Sequence, residues 1–593
     1  MLPGLPELIQ KDQLAVEHFT EIRVLLDFQW FADGECWAQL IQINLNNSVN
    51  DDFPKVSNWY VVLTESYPLG PMYVFPASDD GIEYTMPHQE LIEPYRNKKV
   101  PWKRGHICLS GEFDSLTRSE FTIEPKGIGR LAWVYARAIE WAIQASQNML
   151  LKEGDRFELP SVRSNELDGP FVLTQETNET FLKWGSTSDQ DGLIYGGTGS
   201  IDNAFYITSF RNKKDEVLVH YKWKDLEDKR SLPLGIWFKV PNLPTFRAWH
   251  TPQDWSQLIK TLEDFGIDLP TKIRQKINKL HWNKSFILGI GFPIPETMGD
   301  KEVKTHWYFA NIPQLSKSES NGFRKQSLRK VALQNLIYLT QQSQKVHWLS
   351  TKNIDQDKML SRGAYSESLR KKKILLIGCG ALGSCVAELL ARGGCLDLSL
   401  VDFDRMDVGN LARHTLLMND LFKHKSKSLA IRLNNINPFL EVRYLPDIFN
   451  GSNHQIIEDC DLIIDCTAED DVIRALTRYK KEGRIIASIS LGFEAEKSYL
   501  NISNLWDPEV FHITFRDLIL EDSDKLKQFS RSEGIGCWHY AFPASSGDIW
   551  AQASSCVELL DDALKKGNLD TSIVVEKHRD HSGYHMLKKR VLR

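Results

Sequence analysis

The spacing of apolar positions divides this chain into three zones. Residues 1 to about 160 begin with a mixed helical stretch and pass into strand-like runs such as Trp59-Tyr60-Val61-Val62-Leu63-Thr64. The zone closes on Leu131 to Leu151, where apolar residues recur at helical spacing. A polar Gly/Glu/Asp segment near 153–169 reads as a linker. Between 170 and 350, short strands, aromatics and charged turns follow one another without a chemical motif. Phe286-Ile287-Leu288-Gly289-Ile290-Gly291 has the pattern of a buried strand there. From about 371, apolar strands alternate with helices, which predicts a largely parallel sheet. No tandem repeat or long low-complexity tract interrupts the three zones.

Within the third zone, Lys373-Ile374-Leu375-Leu376-Ile377 predicts a buried strand. It runs into Gly378-Cys379-Gly380-Ala381-Leu382-Gly383 and then a helix to about Arg392. The apolar stretch Ile374 to Ala391 approaches membrane-spanning length, but Glu388, three glycines and a turn pattern make it strand–turn–helix. Glycines at such a turn let backbone N–H groups approach phosphate at the helix N-terminus. The next strand, Leu398 to Val401, ends in Asp402, an acid placed to accept ribose hydroxyls. On these features alone a dehydrogenase and an adenylating enzyme fit equally well.

Composition narrows the classes. The 593 residues are 42% hydrophobic and 25% charged, which excludes disorder over most of the chain. At roughly 150 residues per domain this length predicts about three or four domains. A formal charge of −6 leaves no global basic field, so neither nucleic acid nor an anionic membrane is expected as a partner. Met1-Leu2-Pro3-Gly4 opens no basic-then-apolar run, so no signal peptide is expected. Nine cysteines without a CxxC pair argue against a disulfide framework or structural zinc and predict a cytoplasmic location.

The residues after Asp402 separate the two nucleotide readings. Asp402-Phe403-Asp404 continues to Asn410-Leu411-Ala412-Arg413, then Lys425 and Ile436-Asn437-Pro438. This ordered set resembles the ThiF/MoeB adenylating family and the adenylation domains of ubiquitin-activating enzymes over roughly residues 370–560, with His414 where the family carries Gln. The resemblance implies ATP and Mg²⁺ as cofactors and a nucleotide site built on Gly378, Gly380 and Gly383. It gives the ribose to Asp402, places Asp404 and Asn410 near the nucleotide, and assigns the phosphates to Arg413 and Lys425. Attack of a carboxylate on the α-phosphate of ATP needs such positive groups and oriented acids. Asp465, in Ile463-Ile464-Asp465-Cys466-Thr467, is assigned to nucleotide and metal, since Ala468 occupies the family's usual Asp position. Asp470 is second choice, although Asp470 and Asp471 equally suit the start of a helix.

Two cysteines stand out as nucleophiles. Cys537, in Gly534-Ile535-Gly536-Cys537 with His539 nearby, resembles the cysteine loop of adenylation proteins that form a thioester with an activated tail. Cys108, in Gly105-His106-Ile107-Cys108-Leu109, follows Tyr67-Pro68-Leu69-Gly70-Pro71 in the order of ubiquitin-conjugating enzymes, which it resembles over roughly residues 10–155. The His-Pro-Asn triplet of those enzymes is absent at its usual distance. Cys379, Cys385, Cys395, Cys460, Cys466 and Cys556 lie in apolar contexts and are expected to be packing residues.

Together these features resemble bacterial ubiquitin-transfer fusions of CBASS antiphage operons. The expected fold is multidomain α/β: an α+β conjugating-like domain over 1–160, a degenerate adenylation-like or platform domain over 161–354, and a Rossmann-like ThiF adenylation domain over 355–593. The resemblance implies a relay from adenylate to Cys537, then Cys108, then an amine acceptor on a target protein. It further implies a homodimer and, as the activated protein, a cGAS-like nucleotidyltransferase. A sulfur-carrier adenylyltransferase with an N-terminal binding module is the alternative.

Overall fold

The computed structural model describes residues 5–95, 99–109, 129–162, 170–198, 203–221, 223, 231–276, 279–280, 284–315, 325–341, 344–449, 454–528, 544–579 and 585–592. The chain forms two compact units, Met1–Asp355 and Gln356–Arg593.

The first unit opens with four strands, Ile22–Phe31 (β1), Cys36–Asn44 (β2), Val56–Thr64 (β3) and Met72–Pro76 (β4), in an antiparallel meander ordered as in sequence. The helix Arg130–Ser146 lays Leu131, Val134, Tyr135, Ala138, Trp141, Ala142 and Ala145 on the same core as Trp59, Val61 and Leu63 of β3. That i, i+3/i+4 spacing is the apolar periodicity of the sequence. Among the described residues between β4 and this helix, isolated bridges hold the chain, including Gln89↔Ile107 and Glu93↔Arg104.

Eight strands follow: Phe171–Thr174 (β5), Asp191–Thr198 (β6), Ala204–Arg211 (β7), Val217–His220 (β8), Leu232–Lys239 (β9), Phe286–Ile294 (β10), Lys304–Ile312 (β11) and His347–Asn353 (β12). Their order is β5-β12-β11-β10-β9-β6-β7-β8, and an extra β5–β7 pairing closes seven of them into a ring. These pairings are mixed and mostly antiparallel. Connections such as those between β6 and β7 or β10 and β11 are shorter than the dozen or so residues a parallel crossover needs, so the chain turns back on itself. One cluster draws Val172, Ile194, Phe210, Trp237, Ile287, Trp307 and Leu349 from the seven ring strands. Glu176 is buried beside it, accepting hydrogen bonds from Trp184, Tyr221, Trp307 and Thr180.

The second unit carries Lys373–Ile377 (β13), Asp397–Val401 (β14), Glu441–Leu445 (β15), Leu462–Asp465 (β16), Ile485–Leu491 (β17), Lys497–Ser503 (β18), Thr571–Arg579 (β19) and His585–Val591 (β20). The order is β15-β14-β13-β16-β17-β18-β19-β20, parallel from β15 to β17 and antiparallel beyond. Ile374 and Leu376 enter the core on one face, Leu375 and Ile377 that on the other. Burial on both faces is why β13 reads as an unbroken apolar run. Strand order reverses between β13 and β16, so the crevice at the carboxyl ends of these two strands is where a doubly wound sheet takes its ligand.

Candidate active site

At that crevice β13 turns sharply. Gly378 has φ +86°, and the helix Ala381–Arg392 starts with Gly380 at its N-cap. A Cβ on Gly383 would lie 1.9 Å from the Gly378 carbonyl oxygen, so this glycine brings the helix onto the turn. A Cβ on Gly380 would meet nothing within 4 Å, so the loop's middle glycine opens on free space. The third glycine packs and the second leaves room, the division of labour of a phosphate loop.

Asp402 holds this loop. Its two carboxylate oxygens accept from the backbone N–H of Cys379 at 2.6 Å and of Asp404 at 2.7 Å. Burial pushes the Asp402 carboxyl up, against those bonds and the nearby Lys425 charge. The buried Lys425 ammonium sits 2.9 Å from Asp404 Oδ2 at the start of the helix Lys425–Ile436. Asn410 accepts from the Asp407 N–H at 3.1 Å, and its carbonyl accepts from the N–H groups of Arg413 and His414. Arg413 is half-buried on this segment.

Sequence reasoning passed over His414, whose signal was its departure from the family's Gln. Its Nε2 lies 2.7 Å from the Cys379 carbonyl oxygen, and Leu416 N–H donates to its Nδ1 at 3.1 Å. With Nδ1 accepting, the proton is assigned to Nε2 and the ring is neutral. Burial pushes its pKa down to about 4, which keeps it so. The loop residue Cys379 is thus pinned at its N–H by Asp402 and at its carbonyl by His414.

Asp465 is placed differently from its assigned role. It is fully buried; Oδ1 accepts from Thr467 N–H and hydroxyl at 3.0 and 2.7 Å, and Oδ2 accepts from Ser488 at 2.9 Å. Burial pushes its carboxyl up, and the group braces the end of β16. Asp470 and Asp471 occupy the first turn of the helix Asp470–Ala475. Among the described residues no group of three or more His, Cys, Asp or Glu side chains could hold a metal ion. With three donors already on its oxygens, Asp465 does not fit the expected Mg²⁺.

Cys108 is exposed. Its N–H donates to the His88 carbonyl at 2.8 Å, and Glu90 N–H donates to the His106 carbonyl at 3.0 Å. Ile107 is buried and donates to the Val74 carbonyl at 3.1 Å, tying the cysteine segment to β4. Gly105 has φ +109°, and a Cβ there would come within 2.7 Å of Ile92, so the segment needs glycine at this place. Cys379, Cys385, Cys395, Cys460 and Cys556 are buried, and burial pushes the Cys385 and Cys395 thiols up to about 12. Cys537 lies outside the described residues.

A phosphate loop on the first strand of a doubly wound sheet, clamped by the acid that ends the second, defines an α/β nucleotide-binding domain. Residues 353–498 match the ThiF family, and residues 148–354 match the Cap2 central linker domain. The chain is 27% identical over 532 residues to the ATP-dependent ubiquitin transferase-like protein Cap2 of Enterobacter hormaechei subsp. hoffmannii, covering 87% of this chain and 88% of that protein. A Pseudomonas aeruginosa protein of the same description is 34% identical over 112 residues, 18% of this chain and 20% of its own length. The adenylyltransferase and sulfurtransferase UBA4 of Lodderomyces elongisporus is 34% identical over 105 residues, 17% of this chain and 23% of its own. Of solved structures, E. coli MccB with ATP is 14% identical over 38% of this chain and 65% of that chain, at a TM-score of 0.28. These similarities run along most of the chain and point to an enzyme of the Cap2 and ThiF adenylating type. Among the described residues no helix is long and apolar enough to cross a membrane.

Proposed function

We propose that this chain joins the C-terminal carboxylate of a protein to an amine through two thioesters. A carboxylate oxygen attacks the α-phosphorus of ATP, giving an acyl adenylate and pyrophosphate. The Cys537 thiolate attacks the acyl carbon and AMP leaves. The Cys108 thiolate then displaces Cys537, and an amine nitrogen displaces Cys108 to leave an amide.

In this reading the N–H groups of the Gly378–Gly383 turn and the helix start take the phosphates. Asp402 and Asn410 lie toward the ribose side, and Arg413 and Lys425 offset charge as pyrophosphate departs. Asp404 holds Lys425 in place. The observation that carries the reading is an exposed Cys108, on a bridged segment beside β4, in the same chain as an adenylating glycine loop. The protein-directed activity named for the Enterobacter relative supports a protein as substrate. The likeness to CBASS fusions makes a cGAS-like nucleotidyltransferase the first one to try, with the enzyme working as a homodimer in the cytoplasm.

The test supplies ATP, magnesium and such a nucleotidyltransferase, and follows reducible adducts by mass. Cys537→Ala should abolish adducts on both cysteines, whereas Cys108→Ala should leave the Cys537 adduct and stop transfer. Loading of Cys108 in the Cys537→Ala protein overturns the order. Loading of Cys537 with no Cys108 adduct under any condition favours the sulfur-carrier alternative.

A further inference from the structure

The bridge that places Cys108 also assembles a histidine–carboxylate pair beside it. Gln89 and Ile107 are partners in an antiparallel bridge, and both are buried. Side chains alternate across such a pairing, so Glu90 and His106, opposite one another, lie on the outer face with Cys108. Their exposures agree: the His106 and Glu90 side chains are 37% and 36% exposed.

On this face Glu90 Oε2 lies 3.1 Å from His106 Nδ1, and Glu90 Oε1 accepts from Arg104 at 2.7 Å. Arg104 reaches Glu93 at 3.6 Å on its other side. The bond to His106, then those to Arg104, hold the Glu90 carboxyl down at about 2 against its burial, so it stays ionised. An ionised carboxylate only accepts, so Nδ1 carries a proton, and in the neutral form of the ring the lone pair lies on Nε2. The ring edges meet Tyr73 at 5.1 Å and Phe75 at 5.6 Å, which limits its rotation. Among the described residues, the charged and titratable groups around it are Glu90, Arg104 and Glu93, with Tyr73 below and Tyr95 near Glu90. Beyond Cys108 stands His88, whose Nδ1 is 2.8 Å from Glu158. That contact raises the His88 pKa, so at a given pH more of this ring than of an ordinary imidazole already carries the proton and offers no lone pair.

We propose that His106 Nε2 takes the proton from the amine that discharges the Cys108 thioester, with Glu90 as the residue that positions it; this rests on the thioester relay above. The neutral amine nitrogen attacks the acyl carbon and its surplus proton passes to Nε2. The C–N bond forms, the C–S bond breaks, and the departing Cys108 sulfur takes the proton back from the imidazolium. Thioester and amine become amide and thiol with no other reactant.

The test uses the full-length chain carrying Cys537→Ala, charged on Cys108 by exchange with a mercaptoethanesulfonate thioester of a Gly-Gly-ended peptide. The chase is methoxyamine, which stays neutral over about pH 6–8, so any titration belongs to the protein. His106→Gln should charge normally but discharge about 100-fold more slowly, and lose the rise in rate with pH. Glu90→Gln should charge normally, keep the rise and discharge more slowly, because the ring remains and only the bond that orients it is lost. An unchanged pH profile in His106→Gln, or loss of the rise in His88→Gln instead, overturns the inference alone. Failure of the parent protein to charge at Cys108 overturns the relay reading and the inference with it.

Discussion

Alanine at two glycines of one loop separates phosphate binding from folding. At Gly383 the added Cβ would stand 1.9 Å from the Gly378 carbonyl oxygen, about 1.5 Å inside ordinary contact. Both atoms belong to backbone, so the helix Ala381–Arg392 must shift off the turn. Overpacking of this kind costs about 1–3 kcal/mol, and each kcal/mol lowers Tm by about 2–4 °C in a domain of this size. At Gly380 the backbone is φ −72°, ψ −163°, open to any L residue, and the new methyl meets nothing within 4 Å. Folding should therefore be unaffected or gain a few tenths of a kcal/mol from the stiffer unfolded chain. If phosphate sits on this turn, the same methyl stands where it must approach. Loss of one charge-assisted hydrogen bond costs about 1.5–3 kcal/mol, so ATP–pyrophosphate exchange should fall about 10- to 150-fold. The assay is exchange with the cognate carboxyl-ended protein, beside a thermal melt of each variant. Full exchange by Gly380→Ala at an unchanged Tm would falsify the placement of phosphate on this loop. Unchanged stability in Gly383→Ala would refute the packing argument.

Two further outcomes follow from the clamps on the loop. Asp402→Ala leaves the Cys379 and Asp404 N–H groups without their carboxylate, and Arg413→Ala removes a positive charge; each should lower exchange by about 2–4 kcal/mol, roughly 30- to 1000-fold. Normal exchange with only later transfer impaired would move these residues out of the nucleotide site. His414 titrates at about 4 when folded against an ordinary 6.5, so the unfolded chain binds more protons between those values. Its contribution is whole above about pH 6.5 and is lost as pH falls, on the order of 2 kcal/mol by pH 5. His414→Gln should flatten the fall of Tm between pH 7 and pH 5, and identical slopes in the two proteins would remove His414 from the loop clamp.

What the sequence determined about this protein by itself was local. The strand β13, its glycine turn and the helix to Arg392 lie within twenty consecutive residues, and each is dictated by its own spacing of apolar positions and glycines. The helix Arg130–Ser146 and the strand β10 were legible for the same reason, since burial on one face or on both imposes its period directly on the chain. Tertiary structure decided whatever depends on residues distant in sequence. The ring of the central strands closes through β5, which pairs with β7 and with β12 far along the chain, and no run of neighbours encodes that partner. Asp465 looked available for a metal until the fold brought Ser488 onto its second oxygen. His414 looked like a minor substitution until the loop carbonyl of Cys379 arrived at its Nε2. Glu90 and His106 became a pair only when an antiparallel bridge set them opposite each other beside Cys108. Periodicity records which face of an element is buried; which polar group meets which is set by packing between elements, where an unpaired buried donor or acceptor costs too much to be left.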